Sequence, residues 1–384
     1  MGRNVIIMIN QLIKGENMLK RFEVTNFKGF KDKLVFDLEA REYAFNKHII
    51  VNGIVNKAIV YGKNGIGKSN LGIALFDIVM HLSDKERMNP TYLQNYLNLD
   101  SNQNYAEFTY YFQFDEDEIV YSYKKKDPYF LWEETLLINN KKVIHYNYFS
   151  KGSNYIDKDF IGDLKIELID NRLSIIKYIY RNKPMDSNSP LFKMMQFVDN
   201  MLWYRGLSDG NNYCGFTNGV ASLIESLYVS GKKDEFQRFL AENGIYYNLD
   251  WQISNGIHEL MVVFATNKRV PFISIASTGT QSLLLFFYWS ISFNRISFLF
   301  IDEFDAFFHY EAAENIILRL NKNSSFQSVV TSHNTYLMQN KLTRPDCCYL
   351  MTENKIANLF NSTDKEIREA HNLEKMYING AFGD

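Results

Sequence analysis

From Met18 onward, polar and apolar residues alternate through RFEVTNFKGFKDKLVFDL, the period of a half-buried hairpin. A polar segment, REYAFNKH, leads to IIVNGIVNKAIVYG, whose uniformly apolar AIVYG end reads as a strand buried on both faces. After a glycine-rich turn, LGIALFDIVMHL repeats its apolar residues at three- and four-residue spacing, which predicts a helix. Next, AEFTYYFQFDEDEIVYSYKKKDPYFLWEETLLINNKKVIHYNYF is a succession of β-rich, aromatic segments broken at Asp-Glu and Asn-Asn, predicting an antiparallel meander. Helical spacing returns in SPLFKMMQFVDNMLWYRG and ASLIESLYVSGKKDEFQRFLAENG, so a helical insertion is expected over 187–244. Within it, the aromatic-rich run around Phe192, Met195, Phe197, Met201 and Trp203 is either core or an exposed partner surface. Residues 1–17 show no clear fold role beside a strand pattern that begins at once at Met18. They are read as an extension ahead of the expected native start, with one domain over 18–384.

Composition narrows the class without deciding it. The 384 residues are 46% hydrophobic and 22% charged, enough for a large core. A net charge of −2 argues against a chain that coats nucleic acid indiscriminately, so any DNA contact is local. The acidic run Asp115 to Glu118 and the basic run Lys124 to Lys126 read as solvated hairpin surface. Cys214, Cys347 and Cys348 have neither metal spacing nor the pattern of a disulfide framework, which fits a cytoplasmic protein. The longest apolar runs, such as LLLFFYW from Leu283 to Trp289, are too short to span a bilayer, and no membrane partner is expected.

The candidate chemistry lies at the ends of the apolar strands. Gly62 to Ser69 fits GxxxxGK[ST], in which backbone N–H groups wrap nucleotide phosphates at a helix N-terminus. Gly62, Asn64, Gly65, Gly67 and Asn70 are placed around the nucleotide, Lys68 on its β/γ-phosphates and Ser69 on Mg²⁺. In ISFLFIDEFDAFFHYE, Asp302 and Glu303 follow a strand directly, the Walker B pattern expected beside the P-loop. Asp302 would hold Mg²⁺, and Glu303 would orient or deprotonate the attacking water. In IASTGTQSLLLFFYW, Ser277, Gly279 and Thr280 stand at a helix start, a second anion site. His333 closes the strand of FQSVVTSHNTYL, at the end where open α/β sheets bind ligands, and would donate to the γ-phosphate.

These four motifs, in this order, resemble ABC-type ATPase heads, and the Asn64-Gly65 pair is similar to the SMC and RecF branch. The resemblance implies an α/β ABC-type P-loop head carrying the β meander and the helical insertion. It also implies ATP and Mg²⁺ as cofactors and a homodimer sandwiching two nucleotides, extending to higher oligomers. Ser277 and Gly279 would then act in trans, with Asp305 in the loop facing the partner. The signature departs from the usual Leu-Ser-Gly-Gly-Gln at Ala276, Thr278 and Thr280, in a form resembling the smaller OLD-like bacterial ATPases. No glutamine-loop residue is assigned, because Gln113 sits in the strand-like FQF. The segment from Ala370 to Gly383 resembles the end of stand-alone ATPases of phage-defence operons, the AbiL and PARIS types. That likeness implies an ATPase switch, triggered by DNA or a phage protein, whose separate effector is a TOPRIM-like nuclease encoded nearby. With little chain after His333, no such nuclease domain is expected here. The second reading is a RecF-like repair ATPase that binds DNA directly.

Overall fold

The computed structural model describes residues 17–85, 93–166, 170–206, 213–217, 222–353 and 355–383. The proposed extension therefore lies outside the described residues except for Asn17, which opens the first strand, Asn17–Thr25. Parts of the 187–244 segment lie outside them too.

The N-terminal hairpin and the meander join into one antiparallel sheet. In spatial order its strands are Tyr155–Ile156, Lys141–Asn147, Leu131–Ile138, Asp117–Lys125, Ala106–Phe114, Asn17–Thr25 and Leu34–Asp37. The alternation in AEFTYYFQF puts Ala106, Phe108, Tyr110, Phe112 and Phe114 on one fully buried face, as a period of two requires.

The second sheet runs Tyr213–Gly215, Met201–Arg205, Phe298–Asp302, Gln327–Ser332, Lys57–Tyr61, Cys348–Met351, Ile356–Asn358. Its five inner strands are parallel and the two edges antiparallel. The inner strands are apolar on both faces, and the alternation sorts them between two layers. Val60, Trp203, Phe298, Phe300 and Val329 pack toward the antiparallel sheet. Ile59, Tyr61, Leu299, Ile301 and Val330 face the helices Thr278–Ser290 and Tyr310–Asn321 behind.

Between the sheets lies the P-loop helix, Lys68–Leu82, apolar almost all round because it is covered on both sides. Gly72 lets it reach the parallel sheet: a Cβ there would stand 2.6 Å from the Phe300 ring and 2.8 Å from the Trp203 indole nitrogen. On the opposite side, the Tyr110 hydroxyl donates to the Ala74 carbonyl at 3.0 Å. The fold is thus the expected α/β P-loop head with an antiparallel meander.

Three expectations change. The segment over 187–244 is not wholly helical. Its first helix, Pro190–Asp199, stops at Asn200, and Met201–Arg205 is an inner strand pairing in parallel with Phe298–Asp302. An unbroken apolar run cannot be told from a buried helix by periodicity alone, and here the neighbouring strand's backbone decides. Met195, Phe197, Met201 and Trp203 are all core. Second, the Asp302 strand does not adjoin the P-loop strand; Gln327–Ser332 lies between them. Third, Lys125 is no surface residue. It shares the inward face of its strand with Tyr121 and Tyr123, fully buried, and meets Asp77 Oδ1 of the P-loop helix at 2.8 Å. Asp77 also accepts from the hydroxyls of Tyr96 and Tyr123, each at 2.9 Å. Lys124 behaves as expected, pairing with Glu133 at the surface.

Breaking this buried pair strands Asp77 as an uncompensated charge. Lys125→Ala is expected to cost about 3–5 kcal/mol in denaturant unfolding, and Lys125→Met with Asp77→Asn should recover most of it. Unchanged stability in the single variant would contradict a buried ion pair.

Candidate nucleotide site

The carboxyl ends of the parallel strands bring the motifs to one edge of the sheet. At the end of Lys57–Tyr61 the chain turns through Gly65 (φ 78°) and Gly67 (φ 111°) into the P-loop helix. Both sit in the left-handed region that glycine tolerates without a Cβ clash. Gly62 is confined instead by space, since a Cβ there would come 2.9 Å from the Met351 carbonyl oxygen. The Lys68 ammonium donates to the carbonyls of Gly62 (2.7 Å) and Lys63 (3.0 Å) and to His333 Nδ1 (3.3 Å). All three of its donors are thus engaged at the mouth of the loop. Burial pushes the Lys68 ammonium below its ordinary range, while the charges of Asp302, Glu303 and Asp305 act against the shift.

Asp302 is fully buried. Its Oδ1 accepts from the Thr331 hydroxyl at 2.7 Å, and its Oδ2 has no hydrogen-bond partner among the described residues. Burial raises the Asp302 carboxyl above the usual carboxylate range, and the hydroxyls of Ser69 and Thr331 and the Arg205 guanidinium oppose that. A buried carboxylate oxygen left over, with a serine hydroxyl from the P-loop against the same carboxylate, is a donor set of hard oxygens that fits Mg²⁺. No group of three or more His, Cys, Asp or Glu residues suited to a metal occurs among the described residues, so the other oxygens would come from phosphate and water.

Glu303 follows with φ 50°, unusual for a residue other than glycine. Its N–H donates to Thr331 Oγ1 at 2.7 Å, so one threonine links both acids to the strand Gln327–Ser332 that precedes His333. Asp305 accepts from Ser332 Oγ at 2.7 Å, and burial raises its carboxyl.

Ser277 caps the helix Thr278–Ser290, accepting from the Thr280 N–H at 3.2 Å. Thr280 is buried with its hydroxyl 2.9 Å from Ser277 Oγ, while Ser277 and Thr278 are exposed. The buried hydroxyl of Thr280 therefore serves the cap, and the outward-facing signature groups are Ser277 and the N–H groups beside it. Gly279 meets the Walker B loop of its own chain: a Cβ would lie 2.7 Å from the Phe307 carbonyl oxygen.

Two contributors to this edge escaped the motifs. In the turn after the first strand, a Cβ built on Gly29 would lie 3.3 Å from Asn70 Nδ2, and the Phe30 ring stands 3.1 Å from a Cβ built on Gly67. The signal available was the NFKGF turn between two strand patterns. Arg205 had none, because its segment reads as helix; in the fold it reaches Glu303 from the neighbouring strand.

The two sheets closing on the P-loop helix have the fold of an ABC-type P-loop head. Residues 230–339 match the family described as "AAA domain, putative AbiEii toxin, Type IV TA system". No curated relative matches. Similar solved structures include the SMC head domain from Thermotoga maritima, at 15% identity and TM-score 0.42, covering 88% of this chain and 98% of that one. A Smc head bound to the C-terminal winged-helix domain of ScpA has 16% identity and TM-score 0.42, covering 89% and 97%. A Smc head with extended coiled coil, bound to the C-terminal domain of ScpA derived from Pyrococcus furiosus, has 14% identity and TM-score 0.43, covering 90% and 97%. Likeness at this level carries no functional argument; the residues above carry it.

Proposed function

We propose that this chain binds and hydrolyses ATP as a nucleotide-dependent switch that controls a separate toxic effector in bacterial phage defence. The observation behind it is the convergence of Lys68, Ser69, Asp302, Glu303 and His333 at one sheet edge, with the second anion-binding helix start tied to the same Walker B loop through Gly279. Backbone N–H groups of the P-loop and Lys68 would cradle the phosphates. Ser69 and Asp302 would hold Mg²⁺, which neutralises charge on the β- and γ-phosphates. Glu303 would orient the attacking water, and His333 would donate to the γ-phosphate. His333 Nδ1 accepts from Lys68, which leaves Nε2 to carry the proton.

The outward-facing Ser277 and Thr278, with the exposed Phe307 of the loop that Gly279 packs on, form the face that a second copy would meet across two nucleotides. The toxin system in the matching family's description favours defence over repair. No helix among the described residues is long and apolar enough to cross a membrane.

The purified chain is expected to hydrolyse ATP with Mg²⁺ while leaving DNA and RNA intact, its ATP-loaded form retaining a co-encoded protein on affinity capture. Metal-dependent cleavage of nucleic acid by the isolated chain, abolished by a substitution outside the ATP site, would overturn this division of labour.

A further inference from the structure

Arg205 ends its strand opposite Asp302 in the parallel register. Its Nη2 donates to Glu303 Oε1 at 2.7 Å and its Nε to Glu303 Oε2 at 3.2 Å, while Nε stands 3.6 Å from Asp302 Oδ2. One guanidinium therefore engages both oxygens of Glu303 and lies in the field of the neighbouring acid. A two-pronged contact of this kind fixes the plane of a carboxylate as well as its place.

The Arg205 and Glu303 side chains remain 23% and 30% exposed, so water reaches the pair and screens part of its attraction. What the contact fixes is direction. Thr331 holds the Glu303 N–H and so sets the backbone, which adopts a left-handed turn at a residue with a full side chain. Arg205 then sets the side chain. A carboxylate offers roughly four acceptor positions on its two oxygens, so a guanidinium using one on each still leaves positions for water. A water-orienting base whose aim is set by a third group is a recurrent arrangement in hydrolytic sites.

We propose that Arg205 is the positioning residue for Glu303, holding its carboxylate in the orientation from which it acts on water. The inference rests on the reading of Glu303 given above.

The test uses the full chain with Mg²⁺ and ATP, comparing wild type, Glu303→Gln, Arg205→Ala and Arg205→Lys. Arg205→Ala is expected to lower kcat about a hundredfold, the scale of a misaimed catalytic group, with KM and ATP affinity changed by less than about threefold. Arg205→Lys should recover only part of the rate, because an ammonium is a point contact without the fork. Added guanidinium ion should partly restore Arg205→Ala. An unaltered thermal midpoint in each variant accompanies a positive result; if Arg205→Ala unfolds, Arg205→Gln carries the same comparison.

A wild-type kcat in Arg205→Ala overturns the inference. A raised kcat overturns it as well, since Arg205 would then restrain Glu303. Loss of ATP binding in a folded variant does so too, placing Arg205 on the nucleotide. If wild type shows no hydrolysis, the reading of the whole site fails; active wild type with an indifferent Arg205 fails this inference alone.

Discussion

Glu303→Gln is expected to retain ATP while slowing hydrolysis at least about a hundredfold, the usual contribution of a positioned acid–base group. The amide keeps the size of the carboxylate and one carbonyl oxygen, but it cannot accept the proton that water loses on attack. The φ of 50° and the bond from its N–H to Thr331 Oγ1 belong to the backbone and should survive the change. Binding is assigned to other residues, Lys68, Ser69 and Asp302, so the variant should load normally. Held in the ATP state, two chains should remain paired across their nucleotides, visible as an ATP-dependent shift to dimer in size-exclusion chromatography. Near-normal turnover would remove Glu303 from the mechanism, and a strictly monomeric ATP-bound variant would defeat the shared-site arrangement.

Lys68→Ala should act at the earlier step. The ammonium is presented at the loop mouth by the carbonyls of Gly62 and Lys63, with burial weakening its hold on the proton and three nearby acids supporting it. Deleting it removes charge-assisted hydrogen bonds worth about 1.5–3 kcal/mol, or roughly ten- to a hundredfold in Kd. Titration with a fluorescent ATP analogue would show this directly. Unchanged affinity would contradict the P-loop assignment. The two substitutions together separate binding from turnover: Lys68→Ala should lose both, and Glu303→Gln turnover alone.

The motifs were legible because each combines local requirements that the chain meets by itself. A glycine-rich turn between a strand and a helix needs φ values only glycine adopts easily, and Gly65 and Gly67 adopt them. Two acids at the end of an apolar run, and a serine capping a helix, are equally local, and Asp302, Glu303 and Ser277 stand where those patterns place them. The meander was legible from its period of two. What the motifs could not supply was their mutual arrangement. That the His333 strand lies between the P-loop and Walker B strands follows from pairing over long separations, which no window of sequence contains.

Residues misread in the sequence have two causes. Met201–Arg205 looks helical because a strand buried on both faces loses its alternation, and only the backbone of Phe298–Asp302 beside it makes it a strand. Lys125 looks solvated because its charge is visible in the sequence while Asp77, its partner, lies on a helix from another part of the chain. Arg205 is silent for both reasons. The chain's local chemistry thus determined that there is a glycine-rich loop opening a helix, a pair of acids at a strand end and a serine-capped helix start. The tertiary structure decided which cation faces which acid, because charge pairing and burial depend on distances through space, and those are set only when both sheets close on the P-loop helix.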